Sequence, residues 1–599
     1  MRHAEGPLLT VDLSARSATR TPIDDVLERY IGGRGAATAL AHERIPFDAD
    51  PFGPENRAYL AAGPFQSAMT SFTGRLSMTG LSPLTDGLVS TNAGGYLSRE
   101  FVGAGISTLE VVGASDELVL LHVTDEGVEF ETVPELREAT VPEVSDHVGE
   151  TRGLGPENCI AIGPAGENRV RFASVMTYDS RAFGRGGLGA VLGAKNLKAV
   201  TFTGDAEPDL EIPDPPAMDI HREAATADDR MKRQGTTGGT EFINENFSLP
   251  TRYFEEYSFE DAADIGGNAV EEKKYKTEAC SQCAYACKLP TRDEARGVET
   301  EGPEFETVYA FGSSQGVGDI VDVMHANELC DTLGMDTISA GVTVAAYLKS
   351  VGEFGNAELA REVTERIAYR NDDDETADLL AEGVHRAHEA LGVDDYTVKG
   401  MEFAAHDGRV LHGQGLSYAV ANRGADHMYA GMLSPEYSGE IDPEGTLGKA
   451  ERLVELENHN AIRDSAIVCS FAGDYVTDER LATMLGTTYD DLLAIGAETV
   501  LRERHFNNQR GIDAEDDTLP YEIPDLDAAI REYYAVRGLT DDGRVPDDRI
   551  DPIPVGGSPT ASDGGGSSSD SGGSSSRAGE GSIGGGAGDG ASRDAGADD

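Results

Sequence analysis

The character of the sequence changes at a proline- and acid-rich stretch near residue 210, "GDAEPDLEIPDPPAMD". Before it, short apolar runs such as "LLTVDL" and "LVLLHVT" alternate with Gly, Asp and Asn turns, a pattern that predicts β-strands. A helix is expected to begin near Gly33 in "YIGGRGAATALAHERI". After the stretch, apolar residues recur at helical spacing in long segments such as "AELAREVTERIAYR". The sequence therefore predicts an α+β fold, with a β-rich N-terminal base domain followed by mostly α-helical domains.

These patterns divide the chain into four expected parts. They are a base domain at residues 1–208, a helical domain at 209–405, a second helical domain at 406–550 and a tail at 551–599. The tail consists mainly of Gly, Ser and Asp and has almost no apolar residues. Because such a segment cannot offset its ordering entropy by burial, we expect the tail to be disordered.

The charge balance is strongly acidic, with 107 acidic against 49 basic residues and a net charge of −58. The acids are spread along the chain, which predicts a halophilic surface, since salt screens the self-repulsion of so many carboxylates. Nucleic-acid binding is disfavoured because the sequence has no basic stripe. No apolar run approaches the ~20 residues of a membrane span, and the N-terminus has no apolar signal-peptide core. A cytoplasmic protein is therefore expected.

Half of the six cysteines stand in "CSQCAYACKLP", at positions 280, 283 and 287. Structural zinc would need a further ligand at zinc-finger spacing, and a disulfide framework does not suit a cytoplasmic chain. Three loop cysteines also form no helical or strand stripe that a core would bury. The spacing favours a [4Fe–4S] cluster with a fourth, distant cysteine ligand. Spacing alone leaves that ligand open among Cys159, Cys330 and Cys469.

Several motifs occur in the order found in the aldehyde ferredoxin oxidoreductases, which depend on tungsten or molybdenum. They include "YIGGRG", "TGRLSMTGLSPLTDG", "RAFGRGGLGAVLGAKNLKAV", "CSQCAYAC", "GPEFETVYAFGS", "ANELCDTLGMDTISAG", "GLSYAVANRGADH" and "RDSAIVC". The sequence resembles this family from about residue 5 to about residue 535. The resemblance implies a metal held by the dithiolenes of two pyranopterins, with a [4Fe–4S] cluster beside one pterin. It also implies oxidation of small aldehydes to carboxylic acids, ferredoxin as electron acceptor, and a chain compatible with a homodimer.

The family's cofactor contacts map onto this chain residue by residue. The pterin contacts in the β-rich part correspond to Arg75, Asn92, Gly94, Arg181, Ala182 and Gly184. Two loops of the pattern DxxGL followed by Cys or Asp correspond to Asp331, Met335 and Asp336 and to Asp464, Val468 and Cys469. Ile467 stands where the second loop of the pattern has glycine. The resemblance thus selects Cys469 as the fourth cluster ligand beside Cys280, Cys283 and Cys287, and it allows a magnesium ion between the pterin phosphates.

Glu306 in "GPEFET" and His427 in "NRGADH" match the family's acid–base residues beside the metal. A carboxylate and an imidazole can carry the protons that must move when an aldehyde is oxidised. Taken alone, each has an ordinary explanation, as one acid in an acidic protein and one histidine at a turn. Two alternatives stay open: a relative that reduces carboxylates or thioesters, and a cluster-only electron-transfer or scaffold subunit. Joint retention of Arg75, Arg181, Asp331, Glu306 and His427 argues against the cluster-only subunit.

The distributed acidic charge predicts that stability depends on salt. We expect the melting temperature to rise with potassium chloride well beyond ~0.15 M, because exposed carboxylates still repel one another within a Debye length of about 8 Å at that ionic strength. Thermal unfolding followed by circular dichroism measures this, with sucrose as an uncharged control solute. A melting temperature that stays constant from low to molar salt would rule the halophilic surface out.

Overall fold

The computed structural model describes residues 1–66, 68–177, 180–371 and 373–553. The segment predicted to be disordered lies almost wholly outside the described residues. Within them the fold is α+β, as predicted, with two six-stranded sheets in the first 202 residues and mainly helices afterwards. No helix of the described part has both the length and the apolar character that a bilayer crossing requires.

The first sheet has the strand order β2-β1-β6-β3-β4-β5, with β1 and β6 parallel and the other neighbours antiparallel. Its strands are β1 (Leu8–Asp12), β2 (Ser17–Thr21), β3 (Ala58–Ala61), β4 (Leu76–Leu81), β5 (Leu88–Ala93) and β6 (Thr108–Val112). Three helices belong to the same segment, α1 (Asp24–Tyr30), α2 (Gly33–Arg44) and α3 (Leu97–Gly103). The helix expected near Gly33 is thus confirmed.

The second sheet has the order β11-β10-β9-β12-β7-β8, with β7 and β12 parallel. Its strands are β7 (Val119–Val123), β8 (Val128–Thr132), β9 (Cys159–Ala161), β10 (Val175–Thr177), β11 (Arg181–Phe183) and β12 (Leu197–Phe202), with helices α4 (Val141–Arg152), α5 (Pro164–Glu167) and α6 (Leu188–Ala194). Leu60 of the first sheet and Val200 of the second belong to one apolar core. The two sheets are therefore joined by shared burial.

Residues 203–213, which include the first ten residues of the proline- and acid-rich stretch, have no regular secondary structure, and the stretch ends inside the first helix that follows. The helices are α7 (Asp214–Thr226), α8 (Arg230–Gln234), α9 (Thr240–Glu245), α10 (Ala262–Ile265), α11 (Gly267–Lys273), α12 (Phe305–Phe311), α13 (Ile320–Leu333), α14 (Thr337–Val351), α15 (Ala357–Tyr369), α16 (Glu375–Ala381), α17 (Val384–Leu391), α18 (His412–Val420), α19 (Leu433–Ser438), α20 (Ala450–Ala466), α21 (Asp478–Leu485), α22 (Tyr489–Gln509) and α23 (Leu526–Arg537). Two small hairpins interrupt them, β13 (Thr291–Asp293) with β14 (Val298–Thr300), and β15 (Thr397–Val398) with β16 (Met401–Glu402).

Helix α2 connects the two halves, because it packs against α20 and α22 of the helical part. Its buried alanines, among them Ala36 and Ala37, allow the helices to approach closely. Gly33 begins α2 with a positive φ of 42°, and a Cβ atom there would lie 2.3 Å from the Asp464 carbonyl oxygen. Glycine is therefore required where α2 meets the end of α20.

A buried ion network fixes the last helices. Asp517 contacts Lys399 Nζ at 2.8 Å, Arg504 Nη2 at 2.6 Å and the Tyr534 hydroxyl at 2.6 Å. Burial alone would raise the pKa of Asp517, but Arg504 and Lys399 outweigh burial and hold that pKa below its usual range. The carboxylate is therefore charged at neutral pH, and its stabilising effect is lost only as the pH falls through the lowered pKa.

We expect Asp517→Asn to lower the free energy of unfolding at neutral pH by about 3–5 kcal/mol, because it leaves two buried cations without their counter-charge. Asp219→Asn is the matched control, since Asp219 pairs with Arg222 on the surface and such pairs contribute at most about 1 kcal/mol. Urea denaturation measures both. Equal destabilisation by the two substitutions would contradict the role given to the network.

Candidate active site

A tight loop carries Cys280, Cys283 and Cys287. The backbone N–H of Cys283 donates to the Cys280 carbonyl oxygen at 3.1 Å. Gln282 and Ala286 adopt left-handed backbone conformations, with φ of 58° and 54°. These conformations turn the chain sharply between successive cysteines. All three cysteine residues are partly exposed.

The chain after α20 brings a fourth thiol to this loop. Burial raises the pKa values of Cys283 and Cys287, and the neighbouring thiols, including Cys469, raise them further. Cys159 and Cys330 instead lie fully buried in two other apolar cores. The structure thus brings together the four cysteines that the resemblance selected.

These thiols fit an iron–sulfur cluster. All six cysteines are free of disulfides, and four cysteine thiolates are the usual donor set of a [4Fe–4S] cluster. Because burial raises the pKa of two of the thiols, cluster binding must displace their protons. Arg75 Nη1 lies 3.7 Å from Cys469 Sγ, where its positive charge would offset the negative charge of a bound cluster.

Arg75 also faces strand β5. Its Nη2 donates to the Asn92 carbonyl oxygen at 3.1 Å. Burial lowers the pKa of Arg75, but the neighbouring Cys469 and Cys280 outweigh burial, so its pKa is raised. A Cβ atom at Gly94 would lie 3.1 Å from Cys280 Sγ. Glycine therefore keeps the space between the strand and the cysteine loop open.

The second DxxG loop, at the end of α20, lies against the base domain. Asp464 accepts hydrogen bonds from Asn92 Nδ2 at 2.6 Å and from Arg34 Nη1 at 3.2 Å. Burial raises the pKa of Asp464, and Arg34 and Arg75 oppose that rise. Asn92 Oδ1 is buried and has no hydrogen-bond partner within the described part of the chain. A buried oxygen without a partner can accept a hydrogen bond from a bound polar ligand.

Ile467 shows why the family pattern has glycine at this position. Its φ is 59° and its ψ is 44°, a left-handed conformation that costs an L-residue roughly 1–2 kcal/mol. The departure from glycine is accommodated because the side chain is only 1% exposed and packs against Gly33 and Gly63. The next residue, Val468, closes the helix end with an N–H bond to the Arg463 carbonyl oxygen at 2.8 Å.

The first DxxG loop joins α13 to α14. Gly334 ends α13 with φ 77°, and Met335 pairs with Ala173 in an isolated bridge. Asp336 caps α14 by accepting from the Ser339 N–H at 3.1 Å. Burial, with a smaller contribution from Glu301, raises the pKa of Asp331 well above its usual range. A protonated Asp331 can donate a hydrogen bond to a ligand.

The strand β11 segment supplies the remaining predicted contacts. Arg181 forms ion pairs with Glu301 and with Glu304, both at 2.7 Å. Its charge lowers the pKa values of both Asp331 and Cys287, so it lies near the first loop and near the cysteine loop. Ala182 pairs with Met176 of β10, and a Cβ atom at Gly184 would lie 3.8 Å from Asp336 Oδ1. These contacts place the predicted pterin residues at strand and helix ends and in the loops that follow them, near one another or near the thiols.

Glu306 and His427 lie together. His427 Nε2 is 3.4 Å from Glu306 Oε1, and Glu306 Oε2 accepts from the Ala405 N–H at 2.9 Å. Glu306 Oε1 is buried and has no hydrogen-bond partner among the described residues. The backbone bond therefore orients the carboxylate and leaves one oxygen available for a substrate proton.

A third side chain, His406, completes this group. His406 Nε2 lies 3.7 Å from Glu306 Oε1, and its ring centroid lies 5.5 Å from that of His427. Burial, and then the charge of His427, lowers the pKa of His406 well below its usual value, so its imidazole is neutral. Within the described ranges, this is the one group of three or more His, Cys, Asp or Glu side chains whose ligand atoms all lie within 4.8 Å of one another.

Sequence reasoning missed His406 and Arg34, and it noted Arg185 in the glycine-rich motif without assigning it a role. His406 follows the apolar run "MEFAA", which signals burial but gives no functional assignment. Arg34 belongs to "YIGGRG" and packs over the Tyr429 ring at 3.5 Å. Arg185 belongs to the glycine-rich motif of β11 and lies 3.4 Å from Asp336 Oδ2. Their contacts depend on residues far away in the sequence.

Most of the chain matches the models of one protein family. Residues 8–204 match the family described as "Aldehyde ferredoxin oxidoreductase, N-terminal domain", and residues 217–552 match "Aldehyde ferredoxin oxidoreductase, domains 2 & 3". The tungsten-containing aldehyde ferredoxin oxidoreductase of Thermococcus kodakarensis is 33% identical over 89% of this chain and 95% of its own length.

Two further relatives extend the comparison. The aliphatic sulfonate oxidoreductase, WOR-like subunit, of Pyrococcus furiosus is 28% identical over 78% of this chain and 79% of its own length. The active site complex BamBC of benzoyl coenzyme A reductase superposes with a TM-score of 0.76 over 91% of this chain and 96% of its own, at 20% identity. At that identity the likeness concerns the fold.

The geometry predicts that Cys469→Ala loses iron and the electron paramagnetic resonance signal of the reduced cluster. Cys330→Ala, which removes a thiol from a separate core, should retain both. Iron per chain and the resonance spectrum of the dithionite-reduced protein check this. Loss of the signal in Cys330→Ala with retention in Cys469→Ala would reassign the fourth ligand.

Proposed function

The chain belongs to the aldehyde ferredoxin oxidoreductase family, and we propose that it oxidises aldehydes to carboxylic acids with ferredoxin as electron acceptor. The proposal includes a tungsten or molybdenum bis-pyranopterin centre and a [4Fe–4S] cluster. One observation carries it: Glu306 and His427, far apart in sequence, lie 3.4 Å from each other. The same chain has both pterin-type loops, the second with Ile467 in place of glycine. That arrangement supports proton transfer at a redox centre.

We assign the cofactors to the residues brought together by the fold. The cluster is assigned to Cys280, Cys283, Cys287 and Cys469. The pterins are assigned to Arg75, Asn92, Gly94, Arg181, Ala182, Gly184, Asp331, Met335, Asp336, Asp464 and Val468. The unpaired Asn92 Oδ1 and the raised pKa values of Asp331 and Asp464 support this assignment, because they leave acceptors and carboxyl groups for a polar ring system. A magnesium ion between the pterin phosphates is compatible with it.

The protein's own residues handle the protons. Conversion of an aldehyde and water to a carboxylate releases two electrons and three protons. When bound, the metal centre and the cluster supply the redox chemistry, with the electrons leaving singly. Glu306 Oε1 accepts a proton from the substrate or its hydrate, and His427, 3.4 Å away, stabilises the carboxylate and shares the proton.

A sulfonate is the second candidate substrate, favoured by the likeness to the aliphatic sulfonate oxidoreductase subunit. Carboxylate or thioester reduction would use the same centre in the opposite direction. These alternatives share the cofactors and differ in the substrate bound and, for carboxylate or thioester reduction, in the direction of electron flow. A substrate panel separates the two oxidations. Benzyl viologen reduction with aliphatic and aromatic aldehydes, and with alkyl sulfonates, is the assay.

We expect Glu306→Gln and His427→Ala to retain metal and iron while kcat for aldehydes falls by about 10²–10⁴-fold, the usual contribution of an acid–base group. The loss should appear in kcat rather than in KM alone, since the interaction acts in the transition state. His385→Ala is the matched control, because this imidazole is half-exposed and pairs with Asp395.

Metal content is measured on the same samples as turnover. Full activity in His427→Ala with metal retained would remove His427 from the mechanism. A fully loaded wild-type protein that oxidises no aldehyde but oxidises a sulfonate would replace the proposed substrate class.

A further inference from the structure

Protons released at Glu306 have to leave a largely buried position. The side chains of Glu306 and His427 are 17% and 16% exposed, and that of His406 is 9% exposed. Three protons per aldehyde must reach solvent for turnover to continue. A protein route for these protons is needed only if the chain oxidises aldehydes, so it rests on the function proposed above.

Beyond His427 no further side chain of the described ranges is hydrogen-bonded to the group. His427 Nδ1 is buried and has no hydrogen-bond partner among the described residues. His427 can therefore exchange a proton with Glu306 through Nε2, but no side chain of the described part continues the route from its other nitrogen. An exit through protein groups has to begin elsewhere.

On the His406 side the contacts continue. His406 Nε2 lies 3.7 Å from Glu306 Oε1, and His406 Nδ1 lies 3.4 Å from the Tyr437 hydroxyl oxygen. The Tyr437 hydroxyl in turn lies 2.7 Å from the Ser248 hydroxyl. The two nitrogens of one imidazole thus face the acid–base carboxylate and a hydroxyl pair.

This line of groups leads towards the surface. Tyr437 is only partly buried, and its ring packs at 5.5 Å against Phe242, which is 44% exposed. Phe247, directly before Ser248, is 62% exposed. Ser248 itself is fully buried, and its hydroxyl also donates to the Ile243 carbonyl oxygen at 3.1 Å. Tyr437 is therefore the member of the hydroxyl pair that approaches solvent, while Glu306 lies at the inner end.

We propose that His406 and Tyr437 form the proton exit path from Glu306, with Ser248 orienting the Tyr437 hydroxyl. Protonated Glu306 gives its proton to His406 Nε2 while His406 gives the Nδ1 proton to the Tyr437 oxygen. For the first transfer, the 3.7 Å gap between Glu306 Oε1 and His406 Nε2 has to shorten to hydrogen-bond distance, as catalytic contacts do when substrate binds. The Tyr437 hydroxyl proton passes to water, and His406 returns to its starting tautomer, with the proton on Nδ1, before it relays the next proton.

The protonation states suit such a relay. Burial lowers the pKa of His406 well below its usual value, and burial raises the pKa of Tyr437. A neutral imidazole has one N–H donor and one acceptor nitrogen, and a neutral phenol both donates and accepts. Neither group becomes trapped as a stable ion between turnovers.

Tyr437→Phe tests the path with little change in shape, because it removes only the relay hydroxyl. Tyr418→Phe is the matched control, since Tyr418 is buried and its hydroxyl donates to the His406 carbonyl oxygen at 3.1 Å without contacting the ring nitrogens. With an aldehyde substrate we expect Tyr437→Phe to lose at least about 10-fold in kcat with little change in KM. Its solvent deuterium isotope effect on kcat should increase, and Tyr418→Phe should match wild type in both. Equal behaviour of the two variants would overturn the exit path.

A second measurement is independent of turnover. In ¹⁵N-histidine-labelled protein, the His406 Nδ1 resonance should shift in Tyr437→Phe and stay unchanged in Tyr418→Phe, with His406→Gln identifying the signal. An unchanged Nδ1 resonance in Tyr437→Phe would overturn the path even if aldehydes are oxidised. A wild-type protein that oxidises no aldehyde would instead overturn the proposed function. The resonance would still test the contact between His406 Nδ1 and the Tyr437 hydroxyl.

Discussion

The end of helix α20 is the position on which the rest of the site depends. Within six residues it supplies Asp464, which bonds to Arg34 and Asn92 of the base domain, and Cys469, which approaches the three-cysteine loop. Between them Ile467 reverses the chain in a left-handed conformation. A shift of this turn would displace the polar loop and the fourth thiol together. Close approach at Gly33 and Gly63 holds the turn in place.

Burial of charge has a second organising role. The site collects carboxyls whose pKa values are raised by burial, such as Asp331 and Asp464, together with arginines that oppose the rise. Away from the site, Arg504 and Lys399 outweigh the effect of burial on Asp517, so the pKa of this carboxyl is lowered and the group serves as a structural ion network. At Asp331 and Asp464 the compensation of burial is incomplete, and a bound ligand could complete the contacts.

The sequence indicated the fold class and the helix at Gly33, because strand alternation and helical periodicity are local signals. Strand order was not predictable, since β1 pairs with β6 across almost a hundred residues. The resemblance, rather than spacing, selected Cys469, Glu306 and His427. His406 was missed because its role depends on contacts with Glu306 and Tyr437, which are distant in sequence. The positive φ at Ile467 also required the structure, because an isoleucine gives no local sign of it.

Metal analysis of the purified chain tests the central claim, that these loops form one cofactor site, most directly. The account predicts about four iron atoms and about one tungsten or molybdenum atom per chain, bound together and retained through gel filtration in high salt. Iron without tungsten or molybdenum, from cells supplied with both metals, would contradict it and would indicate a chain that keeps the cluster but holds no pterin centre.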